Sequence, residues 1–322
     1  MKTIGALALA AVVAVANVPG ALAQDYPTKP IRAILPLSAG GLGDTVLRAV
    51  AQELGKTWGQ SVVVENRAGA ATMIGGQACA QAAPDGYTIC LLAVDTLSYG
   101  QYLFKNVPFN PATAFQPVTN LFFLTEVMSV NPSLNVSTMK ELVELSKSRP
   151  AGLNYASPAN GITLFMEKFK KDTGAKFNLV PYRGGGDAVN AVLSGEAPVG
   201  FFGMGNSIPN LTSGKLKALA VDSPQRSPLL PNVPTFAEEG YTGVLNRAWF
   251  GIFVPANTPA PIVAKLHNEI TKIAKAPEFQ QKYFIGLGLE PILDTPEEFA
   301  KFLEQDRVRA GELVKISGMQ PQ

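Results

Sequence analysis

The sequence predicts an α/β protein of two domains, each a mostly parallel sheet with helices on both faces. Three observations carry that expectation. The chain has 322 residues, more than a single hydrophobic core usually supports. Apolar runs of strand length alternate with amphipathic stretches of helix length, the order that builds βαβ units. One local plan also occurs twice: ILPLSAGGLGDTVLRA (34–49) and LVPYRGGGDAVNAVLSG (179–195) each read as an apolar strand, a glycine-rich turn and a helix.

The first residues, 1–23, hold one lysine, an apolar stretch and Ala21-Leu22-Ala23 ahead of Gln24. These are the marks of a secretory signal cleaved after Ala23. A membrane anchor fits less well, because the apolar run is short and broken by Pro19-Gly20. The mature chain is therefore expected to be soluble in the periplasm. PIRAILPL (30–37) and SVVVENR (61–67) then flank a helix expected from Asp44 to Thr57, with Val46, Leu47, Val50 and Leu54 on one face. IGGQACAQAAP reads as a second helix ending at Pro84, and GYTICLLAV (86–94) as a third strand.

Beyond FQPVTNLFF and TEVMSVNPS a second set begins. It runs helix STMKELVELSKS with Ser137 as N-cap, strand LNYAS, helix TLFMEKFKKDTG, strand FNLVPY, helix DAVNAVLSG, and strands APVGFFG and LKALAVDS. AWFGIFVPANTP (248–259) leaves that set. The two amphipathic helices after it, APIVAKLHNEITKIAKA and PEEFAKFLEQDRVRAGELVKIS, have no sheet of their own and are expected back on the first domain. Domain 1 is then 24–123 plus 250–322 and domain 2 is 124–249. Hinge crossings fall near 122–127 and 245–249.

Net charge is only +2, and no basic run exceeds two residues, which argues against nucleic acid and a polybasic membrane patch. Cys79 and Cys90 could pair in an oxidising compartment, but read as two small buried residues and are expected unpaired. The single histidine, His267, lies beside Lys265 and Glu269 on a charged helix face, where solvent exposure is expected. There is no Ser-His triad, H-E-x-x-H or G-x-S-x-G. A two-thiol racemase would need one cysteine on each side of a cleft, and both lie in the first half. No enzyme activity is expected.

A glycine-rich turn feeding a helix offers free N–H groups and the positive end of the helix dipole, which suits an anion. Val46 stands where a dinucleotide fingerprint wants glycine, and G-x-x-x-x-G-K-[ST] is missing, so no cofactor is expected. A small carboxylate is the better anion. Asp44 and Asp187 read as N-caps of the two helices. SPANGITLF (157–165) adds a third strand–loop–helix turn, with Ser157, Asn160, Gly161 and Thr163 as donors, and VDTLS (94–98) a fourth.

YPTKPIRAILPLSAGGLGD, VENRAGA, AAPDGYT, LNYASPANG, VPYRGGGDAVNAVLSGE, LPNVPTFAEEGY and WFGIFVPANTP occur in order across nearly the whole mature chain. Together they resemble the substrate-binding proteins of tripartite tricarboxylate transporters, the Bug family of periplasmic receptors. The resemblance implies a two-domain periplasmic binding protein, a Venus flytrap that closes on an organic acid and delivers it to cognate inner-membrane permease subunits; a monomer without a metal is expected. It also implies that the first loop and the SPANG loop cradle one carboxylate, largely through backbone groups and bridging waters. Carried over, the ligand residues are Ser38, Gly40, Gly41, Leu42 and Gly43, with Ser157, Asn160, Gly161 and Thr163. Asp95, Thr96 and the turn of Arg183, Gly184 and Asp187 would line the cleft. The sequence departs from the family at GITLFM, apolar where relatives are often polar or carry histidine, which weighs against small hydrophilic ligands.

The choice of acid rests on apolar residues beside the donors. Leu42, Phe165, Phe201 and Phe202 are near the loops, and strand alternation lets only one of Phe201 and Phe202 face the cleft; Phe202 is the candidate. Arg247, just before Trp249, is either an exposed hinge residue or a bidentate grip for a second carboxylate. The expected ligand is an aromatic dicarboxylate of the terephthalate type. The alternatives are an aliphatic di- or tricarboxylate, or a sensor that presents the ligand to a different partner.

Overall fold

The computed structural model describes residues 26–242 and 246–321. The expected signal segment 1–23 lies outside them, as does Leu245 at the second expected crossing. Eleven strands among these residues form two sheets: β1 (Ile31–Leu35), β2 (Val62–Asn66), β3 (Thr88–Ala93), β4 (Phe115–Leu124), β5 (Glu126–Val130), β6 (Leu153–Ser157), β7 (Phe177–Pro181), β8 (Val199–Gly203), β9 (Lys217–Asp222), β10 (Trp249–Pro255) and β11 (Leu289–Pro291). The first sheet has the order β11-β4-β10-β3-β1-β2 and the second β7-β6-β8-β5-β9. The principal helices are α1 (Leu42–Trp58), α2 (Met73–Ala80), α3 (Met139–Ser148), α4 (Asn160–Thr173), α5 (Gly185–Ser194), α6 (Ala260–Lys275) and α7 (Pro296–Ser317).

Alternation along each strand sends side chains to opposite faces, and both faces are covered. Ile31, Ala33 and Leu35 of β1 join Ile89 and Leu91 of β3 against Val46, Leu47, Val50 and Leu54 of α1 and Leu266 of α6. Ile34, Cys90 and Leu92 point the other way, onto Cys79 of α2 and Phe299, Leu303 and Ala310 of α7. The second sheet repeats this, with α3 and α4 on one face and α5 on the other. Among the described residues no helix is long and apolar enough to cross a membrane.

The two-part α/β architecture is the expected one, but the sheets are mixed rather than mostly parallel. Parallel pairing is confined to β2-β1-β3 and β7-β6-β8. Strands β4, β5, β9 and β10 lie next to the passages between sheets, where no crossover helix imposes a common direction. They pair antiparallel: β10 with β3 and β4, and β5 with β8 and β9. The chain passes from the first sheet to the second at Thr125 and returns between residues 223 and 248.

Several local expectations are corrected. Cys79 and Cys90 form a disulfide that ties α2 to β3. Gly75 and Gly76 let α2 close on Pro36 and Phe109, since an added Cβ would stand 2.7 Å from either neighbour. That close approach leaves the cysteine Cα atoms 6.3 Å apart, within bridging range. Helix α1 begins at Leu42 rather than Asp44. Thr138, not Ser137, caps α3, its hydroxyl accepting from the Glu141 N–H at 3.1 Å. His267 is partly buried, with Nδ1 3.0 Å from the Val118 carbonyl oxygen.

Candidate ligand-binding seam

Parallel pairing aligns the carboxyl ends of β1 and β3 on one edge of the first sheet, and of β6, β7 and β8 on one edge of the second. Ligands of open α/β sheets gather outside such ends. Here the two edges meet. A Cβ added to Gly203 or Gly205 would stand 3.2 Å or 2.9 Å from the Leu42 side chain, and one added to Gly161 would stand 3.0 Å from Tyr99.

The first turn, 36–41, enters α1 through Gly41, an N-cap in extended conformation with no side-chain cap. The N–H groups of Leu42, Gly43 and Asp44 find no protein acceptor among the described residues, as expected of a first helical turn without a cap. Asp44 is not the N-cap. It reaches back from inside the helix, Oδ2 accepting from the Gly40 N–H at 3.0 Å and from Arg48 Nε at 2.9 Å. Its Oδ1 accepts from the Asn66 amide at 2.9 Å, and that amide also donates to the Leu37 carbonyl at 3.0 Å. Burial opposes charge on Asp44, but Arg48, the Gly40 N–H and Asn66 outweigh it and hold the carboxyl below its usual range. The loop is thus clamped while Ser38 and Gly40 stay exposed.

The second turn is organised differently. Ser157 and Thr163 are buried, their hydroxyl oxygens 3.1 Å apart, and Ser157 donates to the Ala159 carbonyl at 3.0 Å. They shape the loop rather than face the seam. The Gly161 N–H at the start of α4 donates to Asp95 Oδ1 at 3.3 Å, and the Asn160 N–H is directed at the same carboxylate. Asp95 follows β3 in a single π-helical turn, so the first lobe places its own carboxylate on the second lobe's helix terminus. Burial pushes the Asp95 carboxyl up to about 6, against these two hydrogen bonds. Thr96, by contrast, is buried and donates to the Thr72 hydroxyl at 2.9 Å, away from the seam.

Gly184, not Asp187, is the N-cap of α5, with Asp187 inside the first turn, and a Cβ on Gly185 would collide with the Asn206 amide at 2.2 Å. Arg183 and Asp187 line a groove of about 540 Å³ with Tyr182, Asn190 and Glu196. The apolar candidates are corrected. Phe202 is fully buried against the α5 side of the second sheet, with Val189 and Val192. Phe165 and Phe201 are buried on the other face, their ring centroids 4.4 Å apart. Arg247 is engaged as well: its Nη1 donates to Glu290 Oε2 at 3.1 Å, and its guanidinium lies 4.0 Å from the Phe123 ring centroid.

Sequence reasoning missed a buried polar joint at the two passages between lobes. Glu126 opens β5, Asp222 ends β9, and the two are register partners. Asn246 links them, its amide donating to Glu126 Oε2 and its backbone N–H to Asp222 Oδ2, each at 2.8 Å. Burial first, and Asp222 beside it, push the Glu126 carboxyl well up; burial raises Asp222 to about 7. Behind them Asp306 of α7 accepts from Ser98 at 2.6 Å and the Trp249 indole at 2.8 Å, and pairs with Arg309. The available signal was an acid in, or ending, an otherwise apolar strand next to each expected crossing.

The chain and its overall fold are similar to those of known proteins. Residues 46–319 match the tripartite tricarboxylate transporter family receptor, TctC. Protein BugT of Bordetella pertussis is 33% identical over 299 residues, covering 92% of this chain and 91% of that protein. The periplasmic binding protein BugD superposes with a TM-score of 0.85 at 32% identity, over 92% of this chain and 100% of that one. The R. palustris protein Rpa4515, solved with adipate, gives 0.88 at 28% identity, over 92% of this chain and 100% of that one.

Proposed function

The chain belongs to the tripartite tricarboxylate transporter receptor family, and from that premise we propose that it captures an organic carboxylate in the seam and hands it to a membrane permease. It acts in the periplasm, as a monomer, by binding without chemistry. The observation that carries this reading is the open N-terminus of α1: three N–H groups with no protein acceptor, on a loop clamped by Asp44 and facing the other lobe. A carboxylate there gains charge-assisted hydrogen bonds and the favourable end of the helix dipole. The passages at Thr125 and 223–248 are the hinge on which the lobes open to admit it. A two-thiol racemase reading loses its nucleophiles, because Cys79 and Cys90 are joined.

The aromatic-dicarboxylate reading loses support at Phe202 and Arg247, one packed in the core and the other paired with Glu290. Binding of adipate by the R. palustris relative favours aliphatic carboxylates as the first compounds to test. Thermal denaturation with a panel of aliphatic and aromatic carboxylates tests the reading. A true ligand at one hundred times its Kd stabilises the native state by about 2.7 kcal/mol. A panel that leaves the transition unmoved, or turnover of the ligand by the purified protein, contradicts it.

A further inference from the structure

The second turn points to the charge pattern of the ligand, on the premise that the seam is a carboxylate receptor site. We propose that Asp95 is the specificity-determining residue of the seam, a resident carboxylate that excludes a second acid group from the α4 end and selects ligands bringing a hydroxyl or ammonium there. The geometry has three parts. Asp95 leaves the first lobe at the end of β3, beside the end of β1 that feeds the clamped loop. Its Oδ1 takes the Gly161 N–H at 3.3 Å, and the Asn160 N–H is turned to it, so donors that could serve a ligand anion at α4 are already occupied. Gly161 is also packed so closely between Tyr99 and Asn246 that an added Cβ would lie 2.8 Å from the Asn246 side-chain amide oxygen.

The surroundings leave Asp95 short of positive charge. Glu126 and Asp222 lie at the joint behind it and add acid rather than cation. Tyr99, from its own turn, donates to Asn246. Of the nearby cations, Arg309 of α7 pairs with Asp306, and Arg247 pairs with Glu290. Asp95 keeps partial exposure at the seam. A ligand carboxylate arriving there would meet an anion without a cation to share, whereas a hydroxyl or ammonium would find a carboxylate to donate to. Two like charges a few ångströms apart near a protein surface lower affinity by more than about tenfold.

The test is calorimetry at pH 7.5 with acids matched in length and differing only at the far end: adipate, 6-aminohexanoate, 6-hydroxyhexanoate and hexanoate, and their four-carbon counterparts. The unmodified protein is expected to bind the amino or hydroxy acid at least about tenfold more tightly than the dicarboxylate of the same length. Asp95→Asn and Asp95→Ser should close that gap, chiefly by a gain for the dicarboxylate; melting of each ligand-free variant confirms that it folds. A dicarboxylate as the tightest ligand of the unmodified protein, or an unchanged ranking in both variants, overturns the assignment. Binding of none of these acids by any form overturns the carboxylate reading itself, and the inference with it.

Discussion

The turn after β1 and the turn after β6 share a plan, strand then small-residue loop then helix, yet they deploy their backbone donors in opposite ways. In the first, Asp44 sits inside its own helix and clamps the loop from behind, leaving the N–H groups of Leu42 and Gly43 open. In the second, the acid comes from the other lobe, and Asp95 lies on the helix terminus itself. The difference teaches that a glycine-rich turn defines a possible anion site, while the nearest carboxylate decides whether it is vacant. On the proposed reading the first turn is the receptor and the second a gate on what the receptor accepts.

The largest expected effect breaks the first turn. Asp44→Ala removes one buried acceptor of Gly40, Arg48 and Asn66, and hydrogen bonds to a charged group make a loss of about 3 kcal/mol the expected result. Ser157→Ala, its counterpart in the second turn, removes neutral contacts only and should cost about 1 kcal/mol. Urea denaturation of both variants checks the ratio, and equal losses would mean the turns are held alike.

Next in size is the disulfide, which braces α2 against β3 just ahead of Asp95 and has no counterpart in the second lobe. Removing the bridge with Cys79→Ala and Cys90→Ala opens a loop of sequence separation 11. For a loop that short the expected loss is about 2–3 kcal/mol, read as a lower urea midpoint. A midpoint within error of the unmodified protein would show that the bridge does not constrain the fold.

The two acids also predict opposite pH dependences. Asp44 is held below its ordinary value of 3.8, so its contribution is present above about pH 4 and is lost as pH falls below that. Asp95 and Asp222 are raised to about 6 and about 7. The native state therefore binds more protons than the unfolded chain between about pH 4 and 7, and their contribution is lost as pH rises through that window. Glu126, Tyr99, Asp306, Arg309 and Arg247 face these groups and shape the same window. A tenfold difference in proton affinity between the native and unfolded states is worth about 1.36 kcal/mol. From Asp95 and Asp222 together stability should accordingly fall by on the order of 4 kcal/mol from pH 5 to pH 8, and Asp95→Asn should flatten part of that slope. A stability that rises steadily over the same range would contradict the placement of Asp95.

The smallest effect compares two glycines. Gly161→Ala must push Asn246 or Tyr99 aside at 2.8 Å and 3.0 Å, with an expected loss of about 1–2 kcal/mol. Gly41→Ala meets nothing within 4 Å and keeps an ordinary φ of −81°, so it should stay within about 0.5 kcal/mol of the unmodified protein. Thermal melts of the two variants separate a seam that closes at Gly161 from one that does not.

Much of this was legible in the sequence because period and punctuation carry it. Alternation in PIRAILPL and GYTICLLAV, and the 3.6-residue spacing of Val46, Leu47, Val50 and Leu54, gave strands and helix from local rules. What escaped was set by tertiary approach. Whether Cys79 met Cys90 depended on Gly75 and Gly76 letting α2 sink onto the sheet, and whether Arg247 was free depended on Glu290, 43 residues away. The fate of Phe202 turned on which face of β8 met α5. Only the family resemblance suggested Asp95 as a cleft residue, and its bond to Gly161 spans 66 residues and two lobes, beyond any local pattern.

A crystal structure of the complex with the tightest-binding carboxylate tests the central claim most directly. The account predicts the ligand's carboxylate oxygens within hydrogen-bond distance of the N–H groups of Leu42, Gly43 or Asp44, with Asp95 still on Gly161. A ligand carboxylate seated on the Asn160 and Gly161 N–H groups, with Asp95 displaced, would contradict it.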